Sequence, residues 1–233
     1  MDKNVVRFME QIKKALGDNL KSFIVYGSGA TGEVYKYSDY NTLMVMGAID
    51  AGTLKMITRP VDAWVKKGQP IPMIFTLDSM MASQDVFPLE FLDIKENHVM
   101  LFGTDVFKNM KISPKNLRLE IERELKSKLI RLRQSFILTG GNPGKIKRLL
   151  IRSISTFSAL LKGVIRLYGK RAPARKSEIF DAAPAALKLD KDLFRLILSV
   201  KEQRADIKNS EIEGVFTRYM GEIDRMADII DKK

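Results

Sequence analysis

Residues 27–41 read GSGATGEVYKYSDYN. Two apolar runs bracket this stretch, LKSFIVYG (20–27) before it and TLMVM (42–46) after it. The first is short, β-branched and aromatic, and ends in Gly27, so it reads as a strand. The second is apolar throughout and reads as a strand buried on both faces. Residues 28–38 form a loop or short helix punctuated by Gly29 and Gly32. The stretch closes on Asp39 and Asn41, two positions apart, an interval at which side chains on a strand point the same way. In purely structural terms, the pair is an Asx turn that caps backbone N–H groups ahead of a strand.

The pattern continues outward from this unit. Val5, Val6, Phe8, Met9, Ile12, Ala15 and Leu16 give residues 2–16 the spacing of an amphipathic helix, stopped at Gly17. Leu54, Ile57, Val61, Trp64 and Val65 place a second helix over 50–67, with Pro60 inside it expected to kink or split it. IPMIFTLD (71–78) reads as a third strand, SMMASQDV (79–86) as a short helix or loop, and LEFLDI (89–94) as a fourth strand. HVMLFG (98–103) is a short apolar element after a turn. Helices and strands therefore alternate over the first 112 residues, as in a sheet domain.

The character changes at Ser113-Pro114, which reads as a helix N-cap followed by proline at the first helical position. Leu117, Ile121, Leu125, Leu129, Leu132 and Phe136 line one face before TGGNPG (139–144) breaks the helix. From Ile146 to Tyr168 the 3–4 spacing holds for six turns, the clearest periodic signal in the chain. RAPARKS (171–177) is a loop, shorter helices fall over 178–187 and 190–203, and Ile212 to Ile230 marks a last helix. Residues 113–233 read as an antiparallel helical bundle. The fold class is α+β, with a sheet domain over 1–112 and an all-α bundle over 113–233.

Composition narrows the chemistry. With no cysteine in 233 residues there are neither disulfides nor thiolate metal sites. One histidine, His98, rules out a multi-histidine zinc centre and argues against a Ser-His-Asp triad. No apolar run is long enough to span a membrane, and the first helix lacks the core of a secretory signal, so the expected compartment is the cytoplasm. The net charge of +12 is confined to one segment. Residues 1–112 balance at zero and 177–233 at −2, while 113–176 hold 17 basic and 3 acidic residues. Such asymmetry points to an anionic partner, or to a solvated helix face that keeps the protein soluble.

Gly27-Ser28, Ala30, Gly32-Glu33, Ser38-Asp39 and Asn41-Thr-Leu-Met-Val45 together resemble the nucleotidyltransferases of the polymerase β superfamily. Its members share a strand ending in Gly-Ser, a short helix, and a strand carrying Asp-x-Asp. The resemblance covers roughly residues 20–103, and a following helical bundle is also what many members carry, the aminoglycoside nucleotidyltransferases among them. It implies a mixed nucleotidyltransferase-type sheet, a bound nucleoside triphosphate, magnesium in a two-metal site, and transfer of a nucleoside monophosphate to a hydroxyl. Such transfer is a matter of positioning and charge neutralisation, with carboxylates holding divalent ions on the phosphates. Backbone N–H groups of a glycine turn offer donors to phosphate oxygens, which assigns Gly27, Ser28 and Gly29 to the nucleotide.

The implied metal ligands are Asp39, Asn41 and a later carboxylate, Glu90 or Asp93. On a strand these two would lie on opposite faces, so only one could join, and the pattern does not choose. The resemblance favours Glu90. Two departures stand out: Asn41 replaces the second metal-binding carboxylate, and Thr31 stands where members often carry Arg. Asparagine can ligate magnesium through its carbonyl oxygen but brings no charge, so the site reads as weakened or degraded.

Among the remaining candidates, His98 reads as a surface residue in a turn and Trp64 as core. Lys145 and Arg148, among the cations that open the second bundle helix, are candidates to hold a triphosphate. The alternative function is a non-catalytic binding module whose basic bundle docks nucleic acid backbone or an acidic protein. Aromatic interleaving is sparse, which argues against base stacking. The acceptor is not legible, and exposed apolar bundle positions are compatible with a homodimer.

Overall fold

The computed structural model describes residues 2–27, 30, 40–173 and 176–233. The chain divides into two compact units, Met1–Ser113 and Pro114–Lys233.

In the first unit, helix α1 (Lys3–Leu16) starts where the Asp2 carboxylate accepts the Asn4 N–H at 2.6 Å, and it ends at Gly17 with φ 53°. Strands β1 (Leu20–Tyr26), β2 (Asn41–Met46), β3 (Met73–Thr76) and β4 (His98–Gly103) form a four-stranded sheet in the order β3-β2-β1-β4. β1 is antiparallel to both neighbours, whereas β2 and β3 run parallel, so the sheet is mixed. Helix α2 (Ala51–Val65) supplies the crossover, opened by an Asp50–Thr53 capping box. Pro60 does not split it into two elements. The carbonyl its missing N–H leaves unpaired belongs to Met56, an exposed residue that water can serve.

The sheet is covered on both faces. Val5, Phe8 and Ile12 of α1 and Ile57 and Trp64 of α2 pack with Phe23, Val25, Met44 and Met46 on one face. Trp64 is core, as expected: it stacks on Phe8 at 4.5 Å and donates its indole N–H to the Pro70 carbonyl. On the other face Ile24, Leu43 and Val45 meet Met80 of helix α3 (Leu77–Ala82), Phe91 and Ile94 of helix α4 (Pro88–Glu96), and Phe107 and Met110 beyond β4.

Helix α4 corrects the sequence reading, which made LEFLDI a strand. Pro88 occupies the first helical position, where its missing N–H costs nothing. Pro88, Phe91 and Ile94 then fall three residues apart and are buried together, a helical period rather than an alternating one. The sheet position expected for this segment belongs to HVMLFG, which forms β4 beside β1. Gly103 closes β4 at φ 80°, where a Cβ would stand 1.8 Å from the Lys21 carbonyl oxygen, so no side chain is admissible.

The second unit contains α5 (Pro114–Ile137), α6 (Pro143–Leu167), α7 (Lys176–Ile179), α8 (Lys191–Lys201) and α9 (Ile212–Asp231), with no strand among its described residues. The helix expected over 178–187 is instead α7, a turn, and a 3₁₀ segment at Ala185–Leu187, because Pro184 interrupts it. α6 begins at the Asn142 cap with Pro143 in its first turn and buries Ile146, Leu150, Ile154, Phe157, Leu161 and Val164. Phe216 of α9 stacks on Phe136 of α5 at 4.4 Å, and Tyr219 meets Phe157 edge-on. Arg118 of α5 pairs with Glu122 at 2.8 Å and donates to the Ile230 and Asp231 carbonyls at the end of α9.

Candidate active site

β1 leaves the sheet through Tyr26 and Gly27. Tyr26 pairs across the ladder with Asn41 of β2 on one side and with His98 of β4 on the other. Gly27 adopts φ 72°, donates its N–H to the Asn97 carbonyl at 3.2 Å, and accepts the Ala30 N–H at 3.0 Å. A Cβ on Gly27 would stand 3.2 Å from the Asn41 side-chain nitrogen. The glycine turn and the asparagine of the motif are therefore in direct apposition. Asn97 is also the C-cap of α4: its N–H donates back to the Asp93 and Ile94 carbonyls while its own carbonyl receives Gly27.

Period-two alternation puts Tyr26 and Asn41 on the face of Ile24, Leu43 and Val45, which is the face α4 covers. Glu90 and Asp93, three residues apart on α4, share one side of a helix, contrary to the opposite faces a strand would impose. Both approach Tyr26. Burial, then the negative charges of Glu90 and of Asp93, push the Tyr26 phenol above its ordinary range. The phenol O–H points to the Met73 sulfur at 3.0 Å. Glu90 is exposed and Asp93 half-buried. Either or both can therefore face a ligand at this end of the sheet.

Asp39, Ser28 and Gly29 lie outside the described residues. Among the described residues, no group of three or more Asp, Glu or His side chains stands close enough to hold a metal ion. What the described site offers is two carboxylates and one amide oxygen, hard donors of the kind magnesium takes, together with the glycine turn.

Two residues here were missed or misjudged from sequence. Tyr26 looks like one more aromatic strand residue, and only the register reveals it beside Asn41. His98 is not a surface turn residue. It opens β4 half-buried, with Nδ1 2.9 Å from the Ile94 carbonyl and Nε2 3.3 Å from Asp105, and its ring packs on Phe107.

Lys145 and Arg148 belong to the second unit. They line a cleft of about 560 Å³ between α5 and α6, along with Lys128, Arg131 and Arg152.

No protein-family model matches the chain, and no curated protein matches it in sequence. Among solved structures it is similar to spectinomycin adenyltransferase AAD(9) from Enterococcus faecialis, determined with ATP and spectinomycin. The TM-score is 0.54 at 15% identity, over 96% of this chain and 100% of that one. The fold is a nucleotidyltransferase fold. It comprises the mixed sheet with its helices and the helical part that follows. Among the described residues, no helix is long and apolar enough to cross a membrane.

Proposed function

We propose that the chain binds a nucleoside triphosphate with magnesium at the exit of β1 and acts as a nucleotidyltransferase of reduced activity. The carrying observation is the convergence of Gly27, Asn41, Glu90 and Asp93 around Tyr26 at one end of the sheet. The similar adenyltransferase, whose structure holds ATP, supports the choice of nucleotide.

In this reading Gly27, its own N–H taken by the Asn97 carbonyl, turns the chain so that the backbone N–H groups of Ser28 and Gly29 would serve phosphate oxygens. Glu90, Asp93 and the Asn41 amide oxygen would hold magnesium together with Asp39. The metal would supply charge neutralisation on the phosphates. Transfer forms a bond between an acceptor hydroxyl oxygen and the α-phosphorus, and the bond to the pyrophosphate leaving group breaks. Glu90 and Asp93 are the carboxylates available to orient that hydroxyl and take its proton. Asn41 brings no charge where a carboxylate would serve, so the metal is held less tightly and turnover is lowered or absent.

The test is thermal stabilisation of the full chain by ATP, GTP and CTP, each with and without magnesium, in the wild type and in Glu90→Gln. Magnesium-dependent stabilisation that weakens in E90Q is expected. No response to any triphosphate would overturn the reading.

A further inference from the structure

Many long cations of the bundle are matched by carboxylates. Arg118 and Lys126 meet Glu122, Arg133 meets Asp224 at 3.1 Å, Lys147 meets Asp206 at 2.5 Å, and Arg218 meets Asp190 at 2.6 Å. Arg195 is held between Asp181 and Asp192. The cleft between the second half of α5 and the first half of α6 departs from this pattern. Its five cations are Lys128, Arg131, Lys145, Arg148 and Arg152, and no acidic side chain lines it. Lys128 alone reaches a carboxylate, Glu124 at 3.4 Å. Among the described residues, none of the other four has a carboxylate partner, and all four are exposed.

Holding four unmatched like charges around one hollow, beside a fifth paired only with Glu124, is unfavourable, and a polyanion relieves it. The rest of the lining suits such a ligand. Ser135 and Thr156 offer hydroxyl donors, while Leu132 and Phe157 close the floor. The volume of about 560 Å³ falls in the range of small-molecule sites. Lys145, Arg148 and Arg152 recur at intervals of three and four on one face of α6, spanning roughly 10 Å along the helix. That length matches a chain of about three phosphates rather than a run of nucleotides. No exposed aromatic side chain lines the cleft to stack a base.

We propose that the α5–α6 cleft is a binding site for a compact polyphosphate, a chain of three or more phosphates, free or carried by a nucleoside. The site is built wholly from the second unit and does not rest on the reading given for Gly27, Asn41, Glu90 and Asp93.

The test is titration calorimetry of the full chain with sodium tripolyphosphate, without magnesium and at low salt. Three variants are compared with wild type: Arg148→Gln with Arg152→Gln; Lys126→Gln with Arg195→Gln, which removes two paired cations elsewhere in the bundle; and Glu90→Gln. Gln at exposed helical positions is well tolerated, circular dichroism verifies the fold, and single Arg131→Gln serves as an independent cleft variant. Removing one charge-assisted hydrogen bond to phosphate weakens binding about tenfold, so R148Q/R152Q is expected to bind roughly 100-fold more weakly. R131Q should bind about tenfold more weakly, and the other two variants should stay within about threefold of wild type. Substituting ATP for tripolyphosphate shows whether the nucleoside is accepted or the phosphate chain alone is held. Equal weakening in both double variants, no tripolyphosphate binding by the wild type, or binding only to a single-stranded RNA oligomer would overturn the proposal. An E90Q variant that loses its magnesium–nucleotide response while keeping tripolyphosphate affinity separates the two sites.

Discussion

Gly27→Ala tests the geometry at the exit of β1 directly. The backbone there holds φ at 72°, a left-handed conformation that costs an alanine about 1–2 kcal/mol. The added Cβ also meets the Asn41 side-chain nitrogen at 3.2 Å, tighter than ordinary contact. Moving that amide adds a few tenths of a kcal/mol, up to roughly 1. The expected destabilisation is therefore about 2 kcal/mol. With a urea m-value near 1.5 kcal/mol/M for a domain of this size, the midpoint falls by about 1.3 M. The single tryptophan makes the assay specific: Trp64 is 3% exposed in the core of the first unit, so its fluorescence follows that unit's unfolding. Repeating the substitution in an Asn41→Ala background removes the contact but not the backbone cost. G27A should then cost about 1–2 kcal/mol, the remainder being the coupling between the two positions. A G27A midpoint within about 0.2 M of wild type would refute the turn geometry and the apposition of Gly27 and Asn41 together.

Further outcomes follow from the same site. Because the folded Tyr26 phenol holds its proton more tightly than the unfolded one, its contribution to stability is intact below pH about 10. It is lost as pH rises from there through the raised folded value. Glu90→Gln and Asp93→Asn should each lower that folded value, Glu90 more, in an alkaline ultraviolet titration read as the difference from Tyr26→Phe; an unmoved titration would detach α4 from the site. Phe91→Ala empties a fully buried position ringed by Phe75, Phe87 and Phe107, and should cost about 3–5 kcal/mol by denaturant unfolding. A cost below about 1 kcal/mol would mean that α4 is not anchored as described. Asn41→Asp adds a carboxylate beside Gly27, and is expected to destabilise the metal-free protein while tightening magnesium about tenfold or more by calorimetry. An unchanged magnesium titration would remove residue 41 from metal binding.

The sheet was legible where local and tertiary preferences agree. The β-branched run into Gly27 and the apolar run from Thr42 form strands because both their propensity and their burial on two faces favour it. The carboxylates were assigned to the wrong geometry because LEFLDI, read alone, fits a strand as well as a helix turn. The signals that decide, Pro88 at the start and the 88-91-94 spacing, lie partly outside those six residues. Tyr26 and His98 became visible as site neighbours only through strand register, a long-range property that spacing along the chain does not encode. The basic bundle segment was plain from charge alone. Which of its cations go unmatched depends on carboxylates as distant in sequence as Asp206, Asp224 and Asp231.

Gly103 has a bearing on the site from the opposite end of β4. Its Cα lies so close to Lys21 that the two strands can meet there in one alignment only, since sliding β4 by a residue would bring a side chain against the Lys21 carbonyl. Five residues on, roughly 17 Å at strand rise and past a one-residue irregularity between Phe23 and Ile24, that alignment leads to His98 opposite Tyr26. The glycine thus acts as a datum from which the sheet is measured. A mutation at this spot, chemically inert and remote from any ligand, would misplace the site by shifting the ruler rather than by touching what is measured.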